Sequence, residues 1–204
     1  MNNERKNVTI YCDGGNRLGS SNYSAFASIV LTEDINKINE GLSITKSFFK
    51  ATNNQMELLG FLSTITNIFE NYGSINPNNS PLTITVISDS QYLIKGANEY
   101  IENWSNQNWN GSNNKPIKNS EIWKTIKVIL DLKESKNIDV DYDFKWTKGH
   151  VKDCDGSYDT KYNNECDKRL NEAMDNYTNK SEDYNPYVKT IISKVSTLQE
   201  KLEK

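Results

Sequence analysis

Four acidic residues stand beside apolar segments of the sequence, each within a distinctive run of polar and small residues. They are Asp13, Glu57, Asp89 and Asp167. Carboxylates that gather in one place repel each other unless a cation neutralises them. Hard oxygen ligands suit magnesium or manganese, which prefer carboxylates and water and readily take phosphate oxygens. If the four converge in the fold, they predict a metal-dependent enzyme that cleaves phosphodiesters.

Apolar patterns predict the strands that would position two of these carboxylates. Alternating residues indicate strands at residues 8–12, 23–32 and 42–50, which could form an antiparallel meander, and a half-buried strand at 140–146. A nearly continuous apolar run at 82–87 is typical of a central strand that is covered on both faces.

Asp13 and Asp89 are predicted to close the first and fourth of these strands. If the two strands lie side by side and parallel, both carboxylates emerge at one edge of the sheet, where open α/β sheets commonly bind ligands. An aspartate beside Gly14 and Gly15 can equally be a turn former, so Asp13 alone does not establish a site.

The third carboxylate belongs to the start of a predicted helix. Thr52 or Asn53 can cap this helix, and Gln55 stands where a capping box with Thr52 requires it. Glu57 is expected in the first turn, where it can face a site at the N-terminal end. The buried stripe of this helix is predicted to be Leu58, Leu62, Ile65 and Phe69.

The fourth carboxylate, Asp167, is expected in the first turn of a helix at about residues 161–177. Two further helices are predicted at about 90–103 and 120–134, and the last twenty residues form an amphipathic one. Together the elements predict an α/β fold, a mixed sheet of five strands with helices packed on it.

Composition sets limits on the class of protein. The chain has 204 residues, of which 35% are hydrophobic and 25% charged, and its net charge is −3. This charge argues mildly against a protein that coats nucleic acid, but not against an enzyme that acts on it. No stretch reaches the roughly 18–20 apolar residues of a membrane span, and the N-terminus lacks the apolar run of a signal peptide. We therefore expect a cytoplasmic protein with no membrane partner.

The cysteines agree with a cytoplasmic protein. Their number is odd, and the spacing of Cys12, Cys154 and Cys166 matches no familiar zinc or redox pattern. Cys12 is expected to be a small core residue. A bridge between Cys154 and Cys166 is disfavoured in a reducing compartment.

Five runs of residues resemble motifs of the type 1 ribonuclease H family. They are DGG at 13–15, TNNQMEL at 52–58, SDSQY at 88–92, WTKGH at 146–150 and NECD at 164–167. All five stand in the family's order, and the resemblance covers about residues 7–177. It implies a ribonuclease H-like five-stranded sheet with helices on both faces. It also implies an endonuclease that hydrolyses the RNA strand of RNA/DNA hybrids and leaves 5′-phosphate and 3′-hydroxyl ends.

The resemblance also implies how the carboxylates act. In the family, four carboxylates hold two Mg²⁺ ions, for which Mn²⁺ can substitute, around the scissile phosphate. Asp13 would bridge both ions, Asp167 would serve the ion that activates the attacking water, and Glu57 and Asp89 would serve the other. One ion then supplies a hydroxide-like nucleophile, and the other stabilises the departing 3′ oxygen.

His150 is the only histidine in the chain. A lone histidine is more often structural, but the resemblance places here a mobile histidine that assists proton transfer or product release. An imidazole with a pKa near neutrality suits that work. We expect His150 to be less essential than the carboxylates.

Several polar residues match positions that contact the hybrid in the family. Those that would read the minor groove, where RNA displays its 2′-hydroxyls, are Asn53, Asn54 and Gln91. The two asparagines could instead cap the helix. Thr52 matches a contact to a DNA-strand phosphate, and Asn16 and Asn22 compete for a further contact.

Residues 104–128 resemble the basic, tryptophan-bearing protrusion with which the family grips the DNA strand. Trp104, Trp109 and Lys118 would make these contacts. The segment 105–114 contains no lysine or arginine, which should weaken the electrostatic grip and its salt dependence. The tryptophans could equally pack the protrusion.

The loop between His150 and Asp167 departs from the compact members of the family by its extra residues. It contains Asp153 and Asp155, but the pattern lacks the distal glutamate of an EF-hand, so we interpret it as a solvated loop rather than a calcium site.

The predicted domain organisation is a catalytic domain at residues 1–178, followed by a linker and an amphipathic tail at 179–204. The tail could dock on the domain, pair with another copy or bind a partner, and a monomer with a docked tail is the simplest arrangement. Two alternatives to the ribonuclease remain: a DNA-cleaving transposase- or resolvase-type nuclease on the same fold, and a non-catalytic hybrid-binding domain.

Overall fold

A computed structural model describes residues 5–17, 22–34, 37–112, 114–134, 138–149, 157–177 and 183–202. Its strands form one mixed sheet in the order β3-β2-β1-β4-β5. They are β1 (Lys6–Asn16), β2 (Tyr23–Asp34), β3 (Lys37–Phe49), β4 (Leu82–Ser88) and β5 (Val140–Trp146). The first three form the predicted antiparallel meander, and β4 runs parallel to both β1 and β5. The predicted fold class is confirmed.

Seven α-helices accompany the sheet in the described residues. They are α1 (Asn53–Glu70), α2 (Tyr72–Ile75), α3 (Gln91–Lys95), α4 (Ile101–Asn106), α5 (Ser120–Asp131), α6 (Tyr158–Asp175) and α7 (Tyr184–Leu202). The predicted capping box starts α1: the Thr52 hydroxyl accepts the Gln55 backbone N–H, and the Gln55 side chain accepts the Thr52 N–H at 2.8 Å.

The helix predicted at 90–103 contains a turn that the sequence did not predict. A π-helical turn, Gly96–Tyr100, separates α3 from α4. A Cβ built on Gly96 would lie 2.2 Å from the ring of Trp123, so only glycine leaves room for this indole. The π-turn therefore coincides with a tight tertiary contact, which local periodicity does not report.

Two hydrophobic clusters lie on opposite faces of the sheet. The larger packs α1 and α5 on one face. The smaller packs α6 on the other through Cys166, Leu170 and Met174. Cys12 and Cys166 are both buried free thiols, and Cys154 lies outside the described residues.

Helix α7 packs against α1 and α5 and adds apolar side chains to the larger cluster. The buried ones are Val188, Ile191, Val195 and Leu198. At its polar edge the Tyr187 hydroxyl lies 3.1 Å from the Ser63 hydroxyl, and Lys194 pairs with Glu70 at 2.8 Å. The expected domain boundary at residue 178 lies outside the described residues. None of the helices in the described part of the chain is long and apolar enough to span a membrane.

Candidate active site

The parallel pairing of β1 with β4 brings two carboxylates to the same level of the sheet. The last matched pair of this ladder is Tyr11 with Ile87, and two residues further along each chain stand Asp13 and Asp89. The prediction that Asp13 closes its strand is wrong, because β1 stays paired with β2 as far as Asn16. Asp13 is thus held inside a hydrogen-bonded strand, and only 6% of it is exposed.

Gly14 lets α1 bring Glu57 next to these aspartates. A Cβ at Gly14 would lie 2.3 Å from the backbone nitrogen of Glu57, so a larger residue would push the helix away. Glu57 is the fifth residue of α1, which places it in the second turn rather than the predicted first. It is nevertheless buried, with 5% of its surface exposed.

Asp167 reaches the site from the middle of α6. The hydroxyl of Ser157 caps this helix by accepting a backbone N–H in the first turn, so α6 begins at Tyr158, before the predicted start at residue 161. The expectation that Asp167 lies in the first turn is therefore wrong. The opening turns of α6 are rich in polar residues and show little apolar periodicity to mark the start.

The four predicted carboxylates line one cavity of about 310 Å³. One carboxylate oxygen from each of Asp13, Glu57 and Asp89 lies within 4.8 Å of the other two. Oxygens at this spacing can share a cation, because ligand distances of about 2.0–2.6 Å around a central ion span the gap. Asp167 lines the same cavity from the α6 side.

Burial and mutual repulsion make the ionised cluster costly without a cation. Burial, then the carboxylates of Asp89 and Asp167, raise the pKa of Asp13 to about 8, although the Gly14 N–H donates to its carboxylate at 2.7 Å. Burial and the carboxylates of Asp13 and Asp89 raise the pKa of Glu57 well above its usual range. A divalent cation would reverse both effects.

The donor set of this cavity fits a hard divalent cation. Glu57 Oε1 accepts the Asn53 amide at 3.2 Å, whereas the buried Oε2 has no hydrogen-bond partner among the described residues. A buried carboxylate oxygen without a partner is expensive unless a ligand completes it. The remaining donors are carboxylates, which magnesium and manganese prefer.

The predicted substrate contacts lie at several distances from this cavity. Asn53 and Asn16 line it, and Asn53 also orients Glu57. Thr52 caps α1, as the predicted capping box requires, so the alternative in which the asparagines cap this helix is wrong. The side chains of Asn54 and Gln91 are exposed at the N-termini of α1 and α3. His150 lies outside the described residues.

The predicted protrusion is packed by its own aromatic residues. The ring of Trp104 contacts Trp123 edge-on, with centroids 5.3 Å apart, and the Trp109 backbone N–H donates to the Trp104 carbonyl at 2.7 Å. Both tryptophans are half-buried against the larger cluster. Lys118 is exposed, and its carbonyl accepts the hydroxyl of Tyr92 at 3.0 Å. Trp104 therefore packs the protrusion while part of its surface stays exposed.

Two residues at the cavity were not identified from the sequence. Asn171 stands one helical turn after Asp167 and donates its amide to the Asp167 carboxylate at 3.0 Å and to its carbonyl at 2.8 Å. An i, i+4 pair on a predicted helix is the signal that could have found it. Arg17 lines the cavity wall and pairs with Asp175, a contact that bridges β1 and α6 and has no local signal.

Comparison with known proteins identifies what this chain is similar to. The sequence model of the RNase H family matches residues 5–175. A ribonuclease H from Clostridium botulinum is 34% identical over 174 residues, which cover 84% of this chain and 98% of that protein. Ribonuclease HI from Vibrio parahaemolyticus is 27% identical over 181 residues, which cover 89% of this chain and 98% of that protein.

The fold has solved counterparts. The solution structure of the PFV RNase H domain superimposes with a TM-score of 0.66 at 19% identity, over 84% of this chain and 96% of that domain. LC9-RNase H1 superimposes with a TM-score of 0.59 at 16% identity, over 94% of this chain and 86% of that one. At these identities the likeness establishes the fold.

Proposed function

This chain belongs to the ribonuclease H family, as an endonuclease that cleaves the RNA strand of RNA/DNA hybrids with a divalent metal, and we propose that it does so by two-metal-ion catalysis with Mg²⁺. Mn²⁺ would be a substitute, and the products would carry 5′-phosphate and 3′-hydroxyl ends. The observation that carries the proposal is the convergence of Asp13, Glu57 and Asp89, with carboxylate oxygens within 4.8 Å, on a cavity that Asp167 also lines.

The carboxylates would divide the metal ligation between them. Asp13 would be shared by both ions, Asp167 would hold one, and Glu57 and Asp89 would hold the other. When bound, the ions supply a hydroxide-like nucleophile from water and stabilise the departing 3′ oxygen. The protein's own part is to position the ligands: β1 contains Asp13, β4 ends one residue before Asp89, and the Asn53 amide orients Glu57.

Recognition of the hybrid would rest on polar groups around the cavity. Asn53, Asn54 and Gln91 would read the 2′-hydroxyls that distinguish RNA from DNA. Their positions at the N-termini of α1 and α3 support this role, since Asn53 lines the cavity and Gln91 stands two residues after Asp89. The further contacts we propose are Thr52, Asn16, Trp104, Trp109 and Lys118.

His150 would assist proton transfer or product release. It follows β5, whose end lies beside Asp89, since the Trp146 indole donates to the Asp89 carbonyl at 2.9 Å. A histidine titrates near neutral pH, so its removal should flatten the pH dependence of cleavage and lower its rate less than loss of a carboxylate does.

We further propose that the catalytic domain spans residues 1–178 and that α7 docks on it within a monomer. The burial of four apolar α7 side chains against the same chain supports docking. A cytoplasmic location is consistent with the two buried free thiols. Light scattering on the purified protein would test the monomer, because a dimer would double the measured mass.

One assay tests the catalytic proposal. Labelled RNA/DNA hybrid, duplex RNA and duplex DNA are incubated with the protein in Mg²⁺ or EDTA, beside Asp13→Asn and a control, Asp131→Asn, whose exposed carboxylate pairs with Lys127. We expect hybrid cleavage that EDTA and Asp13→Asn abolish and Asp131→Asn preserves, with 5′-phosphate ends on the products.

Other results of this assay would favour one of the alternative functions. Hybrid cleavage that survives EDTA or Asp13→Asn would overturn the two-metal proposal. Cleavage of duplex DNA alone would indicate a transposase- or resolvase-type nuclease, and tight hybrid binding without cleavage in any metal would indicate a non-catalytic domain.

A further inference from the structure

Asp89 is contacted by the last residue of β5 and by a residue shortly after this strand. The ladder between β4 and β5 continues to its last pair, Ser88 with Trp146, and the Thr147 backbone N–H then donates to the Ser88 carbonyl at 3.1 Å. The chain after β5 therefore runs beside Asp89 instead of turning away. The segment concerned is Trp146–Gly149.

Trp146 is exposed over half its surface, yet its polar atom is engaged. It is 51% exposed, and its indole N–H donates to the backbone carbonyl of Asp89 at 2.9 Å. An indole that is half exposed to water stabilises the fold less by burial than a core tryptophan does. Its specific contact is the tie between the end of β5 and the backbone of Asp89.

Gly149 leaves space for the Asp89 carboxylate. A Cβ built on Gly149 would lie 1.8 Å from Asp89 Oδ2, 2.8 Å from Cγ and 3.2 Å from Cβ. Because three successive atoms of the aspartate lie this close, a methyl group at position 149 would displace the carboxylate group as a whole. The φ angle of Gly149 does not lie in the left-handed region, so the backbone itself does not require glycine.

We propose that Trp146 and Gly149 are positioning residues that set the Asp89 carboxylate for metal binding, Trp146 by holding its backbone and Gly149 by leaving room for its side chain. This inference rests on the proposed ligation of a divalent cation by Asp89. Neither residue touches the substrate or the metal in this scheme; both act through Asp89.

The variants Gly149→Ala and Trp146→Phe test the proposed roles of the two residues separately. The first fills the space beside the carboxylate, and the second keeps an aromatic ring but removes the N–H donor. Gly73→Ala is the matched control, because a Cβ at Gly73 meets nothing within 4 Å. Mn²⁺ binding to the metal-free proteins is measured by calorimetry, together with kcat and KM on a hybrid and the melting temperature in EDTA.

Disturbed support of a metal ligand commonly costs about 10–100-fold in metal affinity or activity. We expect Gly149→Ala to bind Mn²⁺ about tenfold or more weakly than Gly73→Ala, and Trp146→Phe to bind it several-fold more weakly. Both should lower kcat at subsaturating metal with little change in KM. The loss in Gly149→Ala should persist in a His150→Ala background, since the proposed effect runs through Asp89 and not through the neighbouring histidine.

Two results would overturn the inference. One is Mn²⁺ affinity in both variants equal to that of Gly73→Ala. The other is a raised KM in Trp146→Phe with unchanged metal affinity, which would make Trp146 a substrate contact. These failures differ from failure of the two-metal proposal, because in that case the wild-type protein would itself cleave the hybrid in EDTA.

Discussion

Replacing Asp13 by asparagine should stabilise the metal-free fold, and the same substitution should abolish cleavage. Burial and the neighbouring carboxylates raise the pKa of Asp13 from 3.8 to about 8 in the folded, metal-free protein. Between these two pH values the native state keeps a proton that the unfolded state has lost. The contribution of Asp13 to stability is therefore most favourable at acidic pH and declines as pH rises towards 8. An amide escapes this penalty because it does not ionise.

The size of the stability change in Asp13→Asn follows from the raised pKa of Asp13. Neutral pH lies about three units above the pKa of Asp13 in the unfolded state, and over this range only the folded state keeps the proton. Each unit costs about 1.4 kcal/mol of stability, so the cost of Asp13 near pH 7 is at most about 4 kcal/mol. Movement of Asp89 and Asp167 and entry of water relieve part of this cost. We therefore expect Asp13→Asn to raise the free energy of unfolding by about 1–3 kcal/mol near pH 7. Near pH 5 only about one pH unit separates the solution from the unfolded-state pKa, so the stability gained by Asp13→Asn should fall below about 1 kcal/mol.

The stability gained by Asp13→Asn is measured by urea unfolding in EDTA, near pH 5 and near pH 7, with circular dichroism as the signal. Asp131→Asn, which removes an exposed carboxylate paired with Lys127, should change stability by less than about 1 kcal/mol at either pH. Added Mg²⁺ should narrow the gap between Asp13→Asn and wild type, because the metal stabilises the wild-type fold more. A variant that is no more stable than wild type near pH 7, or that gains equally at both pH values, would refute the reasoning.

Three further substitutions have defined outcomes. Ile191→Ala in α7 should lower the free energy of unfolding by about 2–5 kcal/mol in urea titrations, and a loss near zero would contradict docking of the helix. Gly14→Ala should cost about 1–3 kcal/mol more than Gly73→Ala, because its Cβ overlaps the backbone of α1. Asn171→Ala should weaken Mn²⁺ binding about tenfold in calorimetry by freeing Asp167, with unchanged melting in EDTA as the sign that the fold is intact.

The elements of this fold were largely predictable, because local periodicity and tertiary burial agree. The strand at residues 140–146 was predicted with its observed bounds, and the capping box of Thr52 and Gln55 is formed. The meander follows from three alternating segments joined by short connections. In each case the chemistry of neighbouring residues was enough to specify the structure.

The incorrect predictions concern element ends and turns whose structure is determined by contacts between residues distant in sequence. The start of α6 was misplaced because its first turns carry little apolar periodicity, and the capping hydroxyl of Ser157 is the only strong local signal. The strand end after Asp13 was misplaced because pairing with β2 overrides the turn tendency of two glycines. The π-turn after α3 packs against Trp123, which is distant in sequence, so local periodicity does not report it.

The grouping of the carboxylates was foreseeable, but the residues that orient them were not. The motifs around Asp89 and Asp167 marked them as a set from the sequence. Asn171 had only the weak signal of its i, i+4 spacing from Asp167. The role of Gly149 depends on its distance from the Asp89 carboxylate, which the sequence does not report. The sequence thus predicted which carboxylates meet at the cavity, and the structure was needed to find the residues that contact them.

The two hydrophobic clusters bear on the site in different ways. Asp13 stands on β1, and Asp89 directly follows β4, which pairs with β1. Glu57 stands on α1, which approaches β1 at Gly14, so the distances among these three carboxylates depend on the sheet and the larger cluster. Asp167 stands on α6, which packs on the sheet through the smaller cluster and through polar contacts such as the Arg17–Asp175 ion pair. Loss of packing in that cluster should therefore move Asp167 relative to the other three and leave their spacing intact. The ion that we propose Asp167 holds would then be the one whose binding is most sensitive to the packing of α6 on the sheet.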